Sequence, residues 1–127
     1  MKRRQLLLSI LKAVALGVVS DRMACAQEEL DPLKVTPDTH KLLFENDFVR
    51  VIESKVPVGG VEPKHRHPHC VTVSLADFEA EIKAFPDGKT TRVHRTFGSV
   101  AWSEATIHEV KIVGRAPSHN VRVELKQ

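Results

Sequence analysis

From residue 41 onward the chain alternates apolar and polar positions over short runs, each closed by a turn signal. Lys41 to Glu45 is the first run, and Asn46-Asp47 turns the chain. In Phe48 to Val56, Val49 and Val51 share one face and Arg50 takes the other; Pro57-Val58-Gly59-Gly60 ends the run. Cys70 to Ala76 sets Val71, Val73 and Leu75 against Thr72 and Ser74. Glu79 to Phe85 alternates more weakly and reaches Pro86-Asp87-Gly88-Lys89, a strong turn. Thr90 to Thr96 is β-branched and polar, Gly98 bends the chain into Val100 to Ser103, and Ile107 to Val113 ends at Gly114. His119 to Leu125 alternates cleanly, which predicts Val121, Val123 and Leu125 inward and Arg122 and Glu124 outward. No window after residue 30 carries a helical period. Short strands at this spacing predict an all-β fold, an antiparallel sandwich or barrel.

The first 26 residues belong to a different pattern. Lys2, Arg3 and Arg4 precede an apolar stretch from Leu6 to Ser20, and Ala24-Cys25-Ala26 is a small-x-small cleavage site. Residues 1–26 therefore read as a signal peptide, with a mature chain beginning at Gln27. Arg3-Arg4 followed by Gln5-Leu6-Leu7 adds a faint likeness to a twin-arginine signal. The apolar stretch is short and interrupted by Lys12, so no stable membrane insertion is expected after cleavage. The expected location is periplasmic or secreted. Residues 27–40, polar and carrying Pro32 and Pro37, read as a lead-in arm, and 41–127 as one domain.

Cleavage changes the charge argument. It removes five basic residues (Lys2, Arg3, Arg4, Lys12, Arg22) and one acidic residue (Asp21), turning a formal charge of +3 into −1. The basic precursor gives no reason to expect a nucleic-acid partner, and no Lys/Arg run interleaved with aromatics remains. Cys25 leaves with the signal, so Cys70 stands alone and no intramolecular disulfide is available. There is no P-loop, no dinucleotide fingerprint, no nucleophile elbow and no zinc-protease His-Glu-x-x-His helix.

The candidate chemistry is His65-Arg66-His67-Pro68-His69, three imidazoles at every second position where the Cys70 to Ala76 run begins. Residues two apart in a strand point to one face, and neutral imidazole ligates zinc, copper, iron and nickel. Among the other histidines, His119 shares the parity of Val121 and Val123 and reads as an interior or rim residue. His94 reads as solvated, and His40, in the lead-in, as surface. Cys70 reads as a small buried hydrophobe and Trp102 as core. Glu104 and Glu109 flank His108 as solvated carboxylates, with acceptance of an imidazole N–H or a general-base role as the functional alternative. Arg50, Arg66 and Arg92 are candidate carboxylate binders, with nothing to select among them.

Gly60-Val61-Glu62-Pro63-Lys64-His65-Arg66-His67 resembles the first motif of the small, RmlC-like cupins, and the segment from Gly98 to His108 resembles the second. The resemblance covers about Val35 to Lys126. It implies a double-stranded β-helix, the jelly-roll barrel, holding one divalent metal through His65, His67 and His108. The family's first-motif glutamate is missing, since Val71 and Thr72 occupy its slots; the second motif's proline and glycine and the asparagine past its histidine are missing too. Three neutral imidazoles still make a competent site, and one that favours an anionic substrate or acidifies bound water. Strand parity makes His69 a further candidate ligand. Imidazoles alone do not choose among Fe, Zn, Mn, Ni and Cu. Three readings follow: an exported metal cupin acting as oxygenase, isomerase or lyase on a small molecule; a non-catalytic module binding a small ligand or metal with a degenerate site; or an adaptor with a dead site. The resemblance also implies a homodimer.

Overall fold

The computed structural model describes residues 27–127, so the expected signal peptide lies outside the described residues. The lead-in arm holds one helical turn, α1 (Pro32–Val35), which the periodicity did not announce. Its cap explains it: the Asp31 carboxylate accepts from the Leu33 N–H at 3.0 Å, and proline occupies the first helical position, where its missing N–H costs nothing.

Nine strands follow among the described residues: β1 (His40–Glu45), β2 (Val49–Val56), β3 (Val61–His67), β4 (Cys70–Ser74), β5 (Phe78–Phe85), β6 (Thr90–Arg95), β7 (Val100–Ser103), β8 (Thr106–Val113) and β9 (Ser118–Leu125). They form a five-stranded sheet in the order β1-β2-β9-β4-β7 and a four-stranded sheet in the order β3-β8-β5-β6. Each pairing is antiparallel. The histidine run is thus not the start of β4. His65 and His67 end β3 in one sheet, Pro68-His69 carries the chain across, and Cys70 opens β4 in the other.

The two sheets enclose an interior with an apolar end, where Val56 of β2 packs with Phe78, Ala80 and Ile112 of the other sheet and with the partly buried Val93 and Val110. Gly60 is required at the entry to β3, because a Cβ there would stand 2.7 Å from Val56 Cγ1 and 2.9 Å from the Pro57 carbonyl oxygen.

Strand β9 turns its polar side inward, opposite to the expectation, beside the buried Ile52, Val56 and Cys70 of its neighbours. Ser118, Asn120 and Glu124 are buried, and Ser118, Asn120 and Arg122 line the interior cavity. Register explains the inversion. His40, Ser54, Asn120 and Ser74 form one cross-strand row on the inner face. Phe44, Val51, Val123, Val71 and Trp102 form a row on the outer face. Trp102, expected in the core, is therefore 53% exposed. His119, expected inside, lies on the outer side with its Nε2 2.9 Å from Glu53. Cys70 is buried as expected, on the wall of the cavity.

Candidate metal centre

Strand β3 carries Glu62, His65 and His67 to the interior, although Glu62 and His65 are three residues apart. Two residues of opposite parity reach one face because the β3–β8 register slips between them. Pro63 lies in that slip, where its missing N–H is tolerated. In β8, His108 is the cross-strand partner of His65. In β1, His40 is 4% exposed, not a surface residue.

Four imidazoles meet at this point. Ring centroids are 4.7 Å apart for His65 and His108, 4.8 Å for His65 and His67, 5.2 Å for His67 and His108, and 5.2 Å for His40 and His65. One candidate ligand atom from each of His40, His65 and His67 falls within 4.8 Å of the others. His65 Nε2 and His108 Nε2 stand 3.1 Å apart, close to the ~3.0–3.4 Å expected for two nitrogens each ~2.1 Å from one ion.

The outer ring nitrogens are anchored. His65 Nδ1–H donates to the Pro63 carbonyl at 2.6 Å, and His67 Nδ1–H donates to Glu124 Oε2 at 2.6 Å. His40 Nδ1 lies 3.1 Å from Thr39 Oγ1. A neutral ring whose Nδ1 donates keeps a lone pair on Nε2. The Nε2 atoms of His40 and His67 are buried without any hydrogen-bond partner among the described residues. Buried polar atoms are rarely left so, and a cation at the point they face would satisfy them.

A carboxylate joins the imidazoles. Glu62 Oε2 lies 3.4 Å from His65 Nε2 and 3.6 Å from His40 Nε2, while its Oε1 accepts from Ser54 Oγ at 3.0 Å. Glu124 is held from behind by Arg50 Nε at 2.9 Å, and Arg50 also forks onto both carboxylate oxygens of Asp31 at 3.1 Å. Burial holds His40 down to about 3, helped by His65, and holds His108 down to about 3, helped by Arg122. His65 and His67 are lowered as well, chiefly by burial. All four rings are therefore neutral at ordinary pH, the form that ligates. Burial pushes Glu62 and Glu124 upward.

The architecture has relatives among solved structures. A cupin domain from Bordetella pertussis Tohama I superposes with a TM-score of 0.64 at 21% identity, covering 80% of this chain and all of that one. The chain has a cupin fold. An RmlC-like cupin family protein with a double-stranded β-helix fold, from Methanocaldococcus jannaschii, matches at TM-score 0.54 and 12% identity, over 68% of this chain and 77% of that one. A predicted oxalate decarboxylase from Thermotoga maritima matches at 0.51 and 17%, over 69% and 79%. No family model and no curated protein matches the sequence.

Within the cupin barrel, the structure brings His65, His67 and His108 together and leaves His69 apart. Pro68 ends the strand, so His69 leaves the parity of His67. Its Nε2 meets Glu104 at 2.7 Å, and its ring stacks on Trp102 with centroids 5.7 Å apart. Glu104 thus serves His69 rather than His108, and Glu109 stands opposite Lys83 in the β5–β8 register. Of the candidate arginines, Arg50 is engaged by Asp31 and Glu124, and Arg92 by Glu79.

Two residues at this point escaped the sequence. His40 has no sequence signal, because its neighbours Lys41 to Glu45 are all exposed. Glu62 had one: Pro63 inside a strand marks a bulge, and a bulge reverses parity.

Proposed function

We propose that this cupin binds one divalent metal ion through His65, His67 and His108, with His40 and Glu62 completing the donor set, and acts on a small molecule in the adjoining cavity. The observation that carries this reading is the convergence of buried imidazole Nε2 atoms whose Nδ1 atoms are occupied elsewhere. Glu62 takes the part of the carboxylate that the first motif lacks. Ser54 orients it, while Glu124 and the Pro63 carbonyl fix the tautomers of His67 and His65. When bound, the ion supplies Lewis acidity or a water of lowered pKa. The cavity beside it measures about 370 Å³ and has one wall of Phe78, Ala80, Val110 and Ile112, which suits an oxygenase, isomerase or lyase of a small organic molecule.

A second reading, a non-catalytic metal-binding or ligand-binding module, draws on one observation: four imidazoles and a carboxylate around a single point leave an ion few open positions. Water relaxation of the Mn(II)-loaded protein separates the two. Fast exchange at the ion supports the catalytic reading, and its absence supports the module.

The proposal extends to export of the chain by residues 1–26 and to a homodimer using the outer row of Val71, Val123 and Trp102. Sedimentation of the wild type beside Trp102→Glu tests the dimer.

The ligand set is tested by titrating chelator-stripped protein with Fe(II), Zn(II), Mn(II), Ni(II) and Cu(II). About one ion per chain is expected, weakened ~10-fold or more in Glu62→Gln and abolished in a His65→Ala, His67→Ala double variant. A folded wild type that takes none of these ions, or a double variant that binds as well, contradicts the proposal.

A further inference from the structure

Arg122 lies on the inner face of β9, between Asn120 and Glu124, with Ile52 and Thr72 as its cross-strand partners. It lines the same cavity as Glu62, His67 and His108. Its one side-chain hydrogen bond among the described residues runs from Nε to Thr72 Oγ1 at 3.1 Å, which leaves the two terminal nitrogens of the guanidinium free. No carboxylate among the described residues forms an ion pair with it, although Arg50 on the neighbouring strand is held by two.

An arginine here works against a cation site. Like charges repel strongly where water is scarce, and a barrel that only had to hold a metal would gain by replacing it. Counting one divalent ion, Arg122 and Arg50 against Glu62, Glu124 and Asp31 leaves a single positive charge uncompensated at the centre. Arg95 and Glu104, both on the cavity wall, offset one another and leave that charge in place. A bound anion between the ion and Arg122 removes the conflict, and a guanidinium fork matches a carboxylate in geometry.

Two further groups describe the rest of the ligand. Ser118 Oγ and Asn120 Oδ1 are buried, without a partner among the described residues, and on the same wall as Arg122. Asn120 Oδ1 only accepts, so it calls for a donor such as a hydroxyl. The facing wall of Phe78, Ile82, Val93 and Ile112 is apolar. At ~30 Å³ per water-sized group, the cavity has room for about a dozen non-hydrogen atoms.

We infer that the cavity binds a small 2-hydroxycarboxylate with an apolar tail, its carboxylate gripped by Arg122 and its hydroxyl by Asn120 and Ser118. The inference rests on the metal reading above and names the ligand class for that site.

Calorimetry on the metal-loaded protein tests it with four probes: mandelate, mandelamide, phenylacetate and benzenesulfonate. Mandelate should bind best. Mandelamide lacks the charge and should not bind, and phenylacetate lacks the hydroxyl and should bind more weakly. Arg122→Met should weaken mandelate ~10- to 100-fold with metal content unchanged, and Arg122→Lys should fall between. Equal binding of mandelate and mandelamide, equal or stronger binding of benzenesulfonate, or mandelate affinity unchanged in Arg122→Met overturns the inference while leaving the metal intact. Metal is assayed on the same samples. If the wild type holds none, the metal reading fails on its own, and the inference then stands or falls on the metal-free protein, where mandelate binding must still depend on Arg122.

Discussion

The two faces of the five-stranded sheet are partly inverted relative to the usual division of labour, most plainly along β9. The inner face carries His40, Ser54, Ser74, Ser118, Asn120, Arg122 and Glu124 beside the apolar Ile52, Val56 and Cys70, and the outer face carries Val51, Val71, Val121, Val123 and Trp102 beside Glu53 and Lys55. A sheet that existed only to hold the fold together would bury its valines. Here the barrel spends its interior on groups that are costly to bury, and the apolar end around Val56, Phe78, Ala80 and Ile112 supports them. Stability and chemistry are thus divided between two ends of one interior, and four perturbations test that division.

The largest effect expected is removal of the metal. Only the folded state offers converged ligands, so saturation at ~1,000 times Kd contributes about 4 kcal/mol. Thermal unfolding before and after chelation, in wild type and in the His65→Ala, His67→Ala variant, should show a drop in the first and none in the second.

Next comes Ile112→Ala at the apolar end. It empties a fully buried position and should cost about 3 kcal/mol. Denaturant unfolding should give the same loss in stripped and loaded protein. A loss confined to the loaded form would mean that the two ends are not separable.

Asp31→Asn should cost about 1 kcal/mol or less, because the Asp31–Arg50 pair is partly exposed. Burial raises the Asp31 carboxyl, but the Arg50 hydrogen bond and the Leu33 N–H together outweigh it, and the net shift is below 3.8. A depressed folded-state value means stability present above 3.8 and lost as pH falls through the lower value. The gap between wild type and Asp31→Asn should therefore be full at neutral pH and close in stronger acid. A gap that persists there would place its origin in packing.

The smallest effect, and the one of unusual sign, belongs to Ser118→Ala. It removes a buried hydroxyl without a partner, so the empty protein should lose nothing measurable or gain slightly, while mandelate binding should weaken. A clear destabilisation would show that the hydroxyl already has a structural role.

The sequence showed the strands well, because alternation marks a strand whichever face it buries. It could not assign the faces. The rule that valines point inward failed for β9, where Asn120 and Glu124 are the buried ones, because the register across β2, β9 and β4 lines up polar residues at the site. The pair His65 and His67 was legible from spacing and His108 from its resemblance to the second motif. His69 was misread because Pro68 ends the strand between them. Glu62 was hidden by the bulge at Pro63. His40 and Arg122 were hidden by topology, since only the pairing of β1 and β9 with β2 brings residues so far apart in the chain to one wall.

Whether the histidine cluster holds a metal is decided by the metal content of the protein. The protein is purified from its native compartment without chelator, beside the His65→Ala, His67→Ala variant, and both are assayed for bound metals. About one ion per chain is expected in the wild type and none in the variant. A folded wild type that is empty, or a variant carrying the same metal, would contradict metal binding by the cluster.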